Sequence, residues 1–164
     1  MTTSTTRTPD EVTQYYETLV TLFRQKAFIQ RNLDALDQHL TPDFVDHFAP
    51  PEHPPGIAGV RYRFSQAAEA FHTLQVEVLH SVSKDDILMQ AIRVHLRHTG
   101  EFMGIPPTQR EIVMPGFDAF QFRGEKLAAH WGVYDVSRIP DLLGAPPAVP
   151  GKDMSTTWAA MWER

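Results

Sequence analysis

One aspartate, Asp118, falls on the apolar side of a segment that reads as a strand. If residues 111–123 are extended, Ile112, Met114, Gly116, Asp118, Phe120 and Phe122 share one face, because side chains alternate along a strand. Desolvation among methyls and rings disfavours the ionised carboxylate and is expected to raise its pKa toward the range where it exchanges protons near neutral pH. That is the chemistry of a general acid/base. Imidazoles that could support it are His98, at the end of a preceding apolar row, and His47 and His130. The chain has eight histidines and no cysteine, which excludes a thiol nucleophile and a disulfide framework. No HxH, HExxH or Cys pair offers ligands at a metal-binding spacing, so no metal is expected. Gly-x-Ser-x-Gly and the phosphate-cradling glycine motifs are absent as well.

The elements that must position these groups can be read along the chain. Residues 1–8 are small and polar and are expected to form a disordered tail. Thr8, Pro9 and Glu11 have the types of an N-cap, a first helical residue and a capping-box partner. Val12, Tyr16, Leu19, Phe23 and Ala27 continue as an apolar helical stripe, and Leu33, Leu36 and Leu40 extend it after a break near Asn32. The prolines of residues 50–55 exclude regular helix and mark a surface loop. A further helix is predicted over residues 57–72, ending near Phe71 and His72.

From Leu74 the period changes to two. Leu74, Val76, Val78, His80 and Val82 are expected on one face, and residues 84–86 form a turn. Leu88, Ile92, Val94, Leu96 and His98 make the buried row of the next strand, opposite Met89, Arg93, His95 and Arg97. The strand carrying Asp118 follows, and a tight turn at Gly124 and Glu125 leads to a last strand over residues 127–136. Helices first and an antiparallel meander afterwards indicate an α+β fold. With Arg123 opposite Lys126, a regular ladder sets Trp131 opposite Asp118 and Asp135 opposite Met114. A one-residue bulge sets His130 and Gly132 on that face instead, and the sequence leaves both registers open.

Composition sets outer bounds. A chain of 164 residues with 42% hydrophobic content supports one domain with one sizeable core. A net charge of −5 with no basic stripe offers nothing to neutralise a phosphate backbone, so no nucleic-acid partner is expected. No apolar run is long enough for a membrane span or has the form of a signal peptide, which makes a cytoplasmic location the expectation. The domain is placed at residues 9–144. Residues 145–164 read as a Pro-rich linker and a short terminal helix bearing Trp158, Met161 and Trp162.

The segment from His47 to Gly144 resembles the SnoaL-like polyketide cyclases, or ester-cyclase-like proteins. The resemblance is carried by Asp46-His47, Gly56 to Gly59, Phe71 before the first long strand, and the hairpin from Thr99 to Arg110. Asp118, Lys126-Leu127, His130-Trp131, Asp135 and Leu142-Leu143-Gly144 complete the ordered set. It implies a cone-shaped α+β barrel related to ketosteroid isomerase and scytalone dehydratase, in which N-terminal helices pack in a curved, mostly antiparallel sheet around one deep pocket. It also implies a homodimer and a cofactor-independent, aldol-type ring closure of a polyketide-like small molecule in natural-product biosynthesis. Asp118 would be base and then acid, with His98 and either His47 or His130 donating to the developing oxyanion. Trp131, Asp135, Phe71, Met114, Phe120 and Asp46 would contact substrate. The same pocket could instead serve hydration, dehydration, epoxide opening or cofactor-free hydroxylation, or bind a ligand without catalysis, because fold alone does not fix function.

Overall fold

The computed structural model describes residues 7–144. Most of the tail expected at residues 1–8, and the linker and helix expected at 145–164, lie outside the described residues. Among the described residues, four α-helices and one five-stranded mixed sheet make an α+β fold. Helix α1 spans Pro9–Phe23 and opens on the predicted capping box: Thr8 N–H donates to Glu11 Oε2 at 2.7 Å and Glu11 N–H to Thr8 Oγ1 at 3.3 Å. It runs into a π-helical segment, Arg24–Ile29. The chain then breaks at Arg31, whose φ is +58°, next to the expected Asn32. A 3-10 turn at Leu33–Ala35 and a short α2, Leu36–His39, follow. Leu40 does not extend the helical stripe; it begins strand β1, Leu40–Asp46.

Helix α3 spans Gly56–Ala70 and stops before Phe71 and His72, which already belong to β2, Phe71–Lys84. The meander continues with β3, Ile87–His98, β4, Glu111–Arg123, and β5, Lys126–Tyr134, and the chain turns into α4, Ile139–Leu142. Strand order is β1-β5-β4-β3-β2, with every pair antiparallel except β1 with β5. The turn into β5 uses Gly124 at φ +63°, a conformation that costs glycine nothing. The inner face of β3 is as expected, with Leu88, Ile92, Val94, Leu96 and His98 all buried. β2 departs from simple alternation. Register shifts between Thr73 and Gln75 and between Val78 and His80 turn His80 and Val82 to the outer side, where they pair with Ala91 and Met89.

Two apolar clusters fill the space inside the sheet. One joins Val20 and Phe23 of α1 to Phe44, Val60, Phe120 and Leu127, and the other joins Phe71, Ile92, Leu96 and Ile112 to Ile139 and Leu143. Fully burying a side chain such as Leu88 contributes roughly 1.5–3 kcal/mol, so these clusters dominate the favourable side of folding. No helix among the described residues is long and apolar enough to cross a membrane.

Candidate active site

Asp118 is buried on the inner face of β4, as the alternation predicts, with 4% of its surface exposed. It is not alone there. Its Oδ2 accepts from Arg24 Nη2 at 2.8 Å, and its Oδ1 accepts from Tyr134 Oη at 2.6 Å and contacts His130 Nε2 at 3.0 Å. Burial alone would push this carboxyl up. The hydrogen bond and charge of His130, with Arg24 and Tyr134 added, outweigh it and hold Asp118 below the ordinary carboxylate value. The expectation of a raised pKa is therefore corrected: opposite charges within hydrogen-bond reach overcome desolvation.

The register that delivers His130 is the bulged one. A shift between Gln121 and Phe122 leaves Ala128 without a partner and sets Phe120 opposite His130 and Asp118 opposite Gly132. Trp131 pairs with Ala119 on the outer face instead of opposite Asp118, and stacks on His47 with ring centres 4.6 Å apart. Tyr134 reaches Asp118 because its register partner is Gly116, where a Cβ would collide with the phenol ring.

His130 is bridged on both sides. Its Nδ1 lies 3.0 Å from Asp46 Oδ1, and Asp46 stands beside it on the parallel strand β1. A neutral imidazole would turn one bare lone pair toward a carboxylate; an imidazolium donates to both. Burial draws the pKa of His130 down, but its hydrogen bonds to Asp118 and Asp46 and their charges raise it above the usual value. Asp46 is in turn gripped by Arg63, whose Nη2 donates to Oδ2 at 2.7 Å. Burial pushes its carboxyl up, yet His130 and Arg63 bring it far below the usual range. Burial and the neighbouring Asp118 charge push the Tyr134 phenol well above its ordinary value, so it remains a donor. Arg24 also donates from Nη1 to Gln90 Oε1 at 2.8 Å, and Gln90 Nε2 donates to Ser81 Oγ at 3.0 Å. The result is an unbroken hydrogen-bonded chain, Arg63, Asp46, His130, Asp118, Arg24, Gln90 and Ser81, buried along its middle and half-buried at its two ends.

This chain borders two spaces. A hollow of about 80 Å³ is walled by Asp118, His130, Arg24 and Phe120. A cavity of about 700 Å³, mostly apolar, is walled by Phe71, Met114 and Tyr134 among others. Phe28, Arg63 and Phe64 belong to the walls of both. A space of this size accommodates a drug-sized molecule.

The other residues singled out in the sequence are dispersed. His98 is fully buried, but it lies eight positions along β3 from Gln90, the register partner of Asp118, which is on the order of 25 Å. It cannot donate to an oxyanion held at Asp118. Its Nδ1 accepts from Thr108 N–H at 3.1 Å, so its proton sits on Nε2, and the ring serves the hairpin that leads into β4. His47 is exposed against Trp131 and borders neither space. Asp135 is exposed after β5 and accepts from Ser137 Oγ. Asp46 joins the site as a partner of His130, not as part of the cavity wall. Sequence reasoning missed Arg24, Tyr134 and Arg63. Arg24 and Arg63 each stand on an apolar helical stripe, beside Val20 and Ala27 and beside Val60 and Ala67, which is the signal that singled out Asp118. Among the described residues no group of three or more His, Asp or Glu side chains is placed to hold a metal ion.

The sequence profile of SnoaL-like polyketide cyclases matches residues 18–140. No curated protein matches the chain by sequence. Among solved structures, TsrD from Streptomyces laurentii superposes with a TM-score of 0.69 at 23% identity, over 81% of this chain and 97% of TsrD. IdmH from Streptomyces antibioticus, a proposed polyketide cyclase, gives 0.66 at 24% identity, over 79% of this chain and 99% of IdmH. AclR from Streptomyces galilaeus, a proposed hydroxylase, gives 0.69 at 24% identity, over 90% of this chain and 94% of AclR. At these identities the likeness is one of fold.

Proposed function

This chain belongs to the SnoaL-like polyketide cyclase family, and on that premise we propose that it closes a ring in a polyketide-like small molecule by aldol-type acid/base chemistry, without a cofactor. The observation that carries the reading is an ionised carboxylate, Asp118, held by three donors at a hollow that shares walls with an apolar cavity of about 700 Å³. In the step we envisage, an Asp118 oxygen takes the proton from a carbon flanked by two carbonyls. The electron pair moves to the carbonyl oxygen, the enolate carbon bonds to a second carbonyl carbon, and the new alkoxide takes the proton back. A carboxylate held at low pKa is a weak base, which suits a carbon acid already acidified by two carbonyls. His130 and Arg24 fix its orientation, and the cavity walls fold the chain so that the reacting carbons meet.

The test is turnover of linear poly-β-carbonyl methyl esters by wild type and by Asp118→Asn, following ring-closed product by chromatography. Asp118→Asn is expected to lower kcat by about 10²–10⁴-fold, the usual weight of general acid/base catalysis. Retained turnover in the variant removes Asp118 from the reaction, and no turnover by wild type with any such ester removes the cyclase reading.

We also propose that a second copy of the chain covers the outer face of the sheet. Phe117 (65% exposed), Met89, Val133, Val113 and Trp131 present large apolar side chains there, and an apolar face of this kind is stabilised by a partner.

A further inference from the structure

Arg63 has donors to spare in a place where spare donors are costly. One of its nitrogens, Nη2, holds Asp46, and its Cζ lies 5.2 Å from the ring centres of both Phe48 and Phe64. Its Nε is sealed from water and has no hydrogen-bond partner among the described residues. Arginine remains charged under all ordinary conditions, so the unmet N–H cannot be relieved by losing a proton. A buried donor without an acceptor costs about 1–3 kcal/mol, more when the group is charged. An oxygen arriving in the adjoining space would remove that cost with a small shift of the side chain.

The neighbours cannot offer the same service. Both Arg24 amino groups are committed, to Asp118 and Gln90. Both His130 ring nitrogens face carboxylates, and the Tyr134 hydroxyl donates to Asp118. Arg31 stands in the wall of the large cavity but not of the hollow beside Asp118, and its Nη2 donates to the Phe71 carbonyl at 2.9 Å. Arg63 is the cation that borders both spaces and keeps unused N–H groups among the described residues.

We propose that Arg63 receives the substrate's carbonyl oxygen and holds it as it becomes an enolate oxygen, which defines the substrate class as an apolar molecule bearing a 1,3-dicarbonyl unit. This rests on the reading of Asp118 as the base and adds the destination of the electron pair. The C–H bond between the carbonyls breaks, its proton passes to an Asp118 oxygen, and the negative charge settles on the oxygen facing the guanidinium. No oxidant or reductant is involved. Donors aimed at the oxygen where charge develops strengthen as the charge grows, so the contact favours the enolate over the ketone.

The probe is 1-phenylbutane-1,3-dione, whose enolate is distinguished from the neutral form by its ultraviolet absorbance. Bound to wild type, the dione is expected to ionise with a constant at least about tenfold larger than in free solution, one pH unit on a titration. Arg63→Met is expected to abolish that gain. Arg63→Gln, whose amide still donates to Asp46, is expected to do the same and serves if the methionine variant does not fold. A bound dione that ionises equally in wild type and in a folded charge-removing variant overturns the inference, as does a wild type that fails to bind the dione or binds it without the gain. Asp118→Asn separates the two readings. It is expected to slow exchange of the dione's methylene protons for solvent deuterium while leaving the ionisation gain in place. Exchange as fast as in wild type defeats the base and leaves the result on Arg63 standing.

Discussion

Removing one member of the Arg24–Asp118 pair should cost far more than an ordinary surface substitution, and removing both should cost less than the sum. The pair is sealed, with Arg24 7% and Asp118 4% exposed and 2.8 Å between Nη2 and Oδ2. Arg24→Met keeps the length of the stem but leaves the carboxylate with two donors and Gln90 Oε1 with none. Asp118→Asn keeps the shape of the side chain but leaves the guanidinium without its anion. Each substitution strands a buried charge, for which about 3–5 kcal/mol is typical. In a domain of this length each kcal/mol moves the unfolding midpoint by about 2–4 °C, so either variant should melt roughly 6–20 °C lower. The double variant removes both members of the ion pair and leaves His130 with Asp46, so its loss should fall short of the sum of the singles by about 0.5–3 kcal/mol, the range seen for residues in direct contact. Urea unfolding followed by far-ultraviolet circular dichroism, with calorimetry of the same four proteins, measures all three quantities. Single variants that lose less than about 1 kcal/mol, or a double variant that is strictly additive, would refute the description of a coupled buried pair.

Stability should also depend on pH in a way that reports the bridging imidazolium. The raised pKa of His130 means its contribution is complete below the unfolded value of about 6.5 and is lost as pH rises through the folded one. Asp118 and Asp46 have lowered values, so theirs is present above about 3.9 and lost as pH falls through the folded ones. The melting temperature should therefore be highest between those limits, and His130→Gln should flatten the alkaline decline; equal alkaline slopes in both proteins would contradict the assignment. For the outer face, sedimentation should show a dimer of wild type and a monomer of Phe117→Lys, and a wild type that sediments as a monomer removes the proposed second copy.

Several parts of this arrangement were legible in the sequence for definite physical reasons. Alternation placed Asp118 inside because a strand has a strict two-residue period, and the capping box at Thr8 and Glu11 is a local pattern complete within four residues. The β5 register was not legible. Leu127, Ala128 and Ala129 are small or apolar and buried, so nothing in them marks which residue the ladder skips. The pKa direction at Asp118 followed from the same gap, because its strongest partner, His130, is delivered only by the bulged register, and Arg24 lies 94 positions away on the π-helical segment after α1, beyond the reach of any local period. His98 was drawn toward the site by its place at the end of a buried row, but a shared face does not imply a shared location when the strand is long. Arg24 and Arg63 carried a usable signal. Each is a cation on an apolar helical stripe, and a chain with one buried anion requires cations of that kind.

Whether the ladder skips Ala128 decides the polarity of the interior. Every side chain of β5 beyond it owes its side of the sheet to that one unpaired residue. Were Ala128 drawn into a regular ladder while the Gly124 turn stayed in place, the two rows would exchange: the indole of Trp131 would enter beside Asp118, and the imidazole and phenol would leave for solvent. The change would convert an ionic interior into an aromatic one without altering a single functional residue. Excising Ala128 would instead leave the remaining pairs in place, Phe120 still opposite His130 and Asp118 opposite Gly132, so a homologue one residue shorter between the turn and the histidine would keep the same groups inside without a bulge.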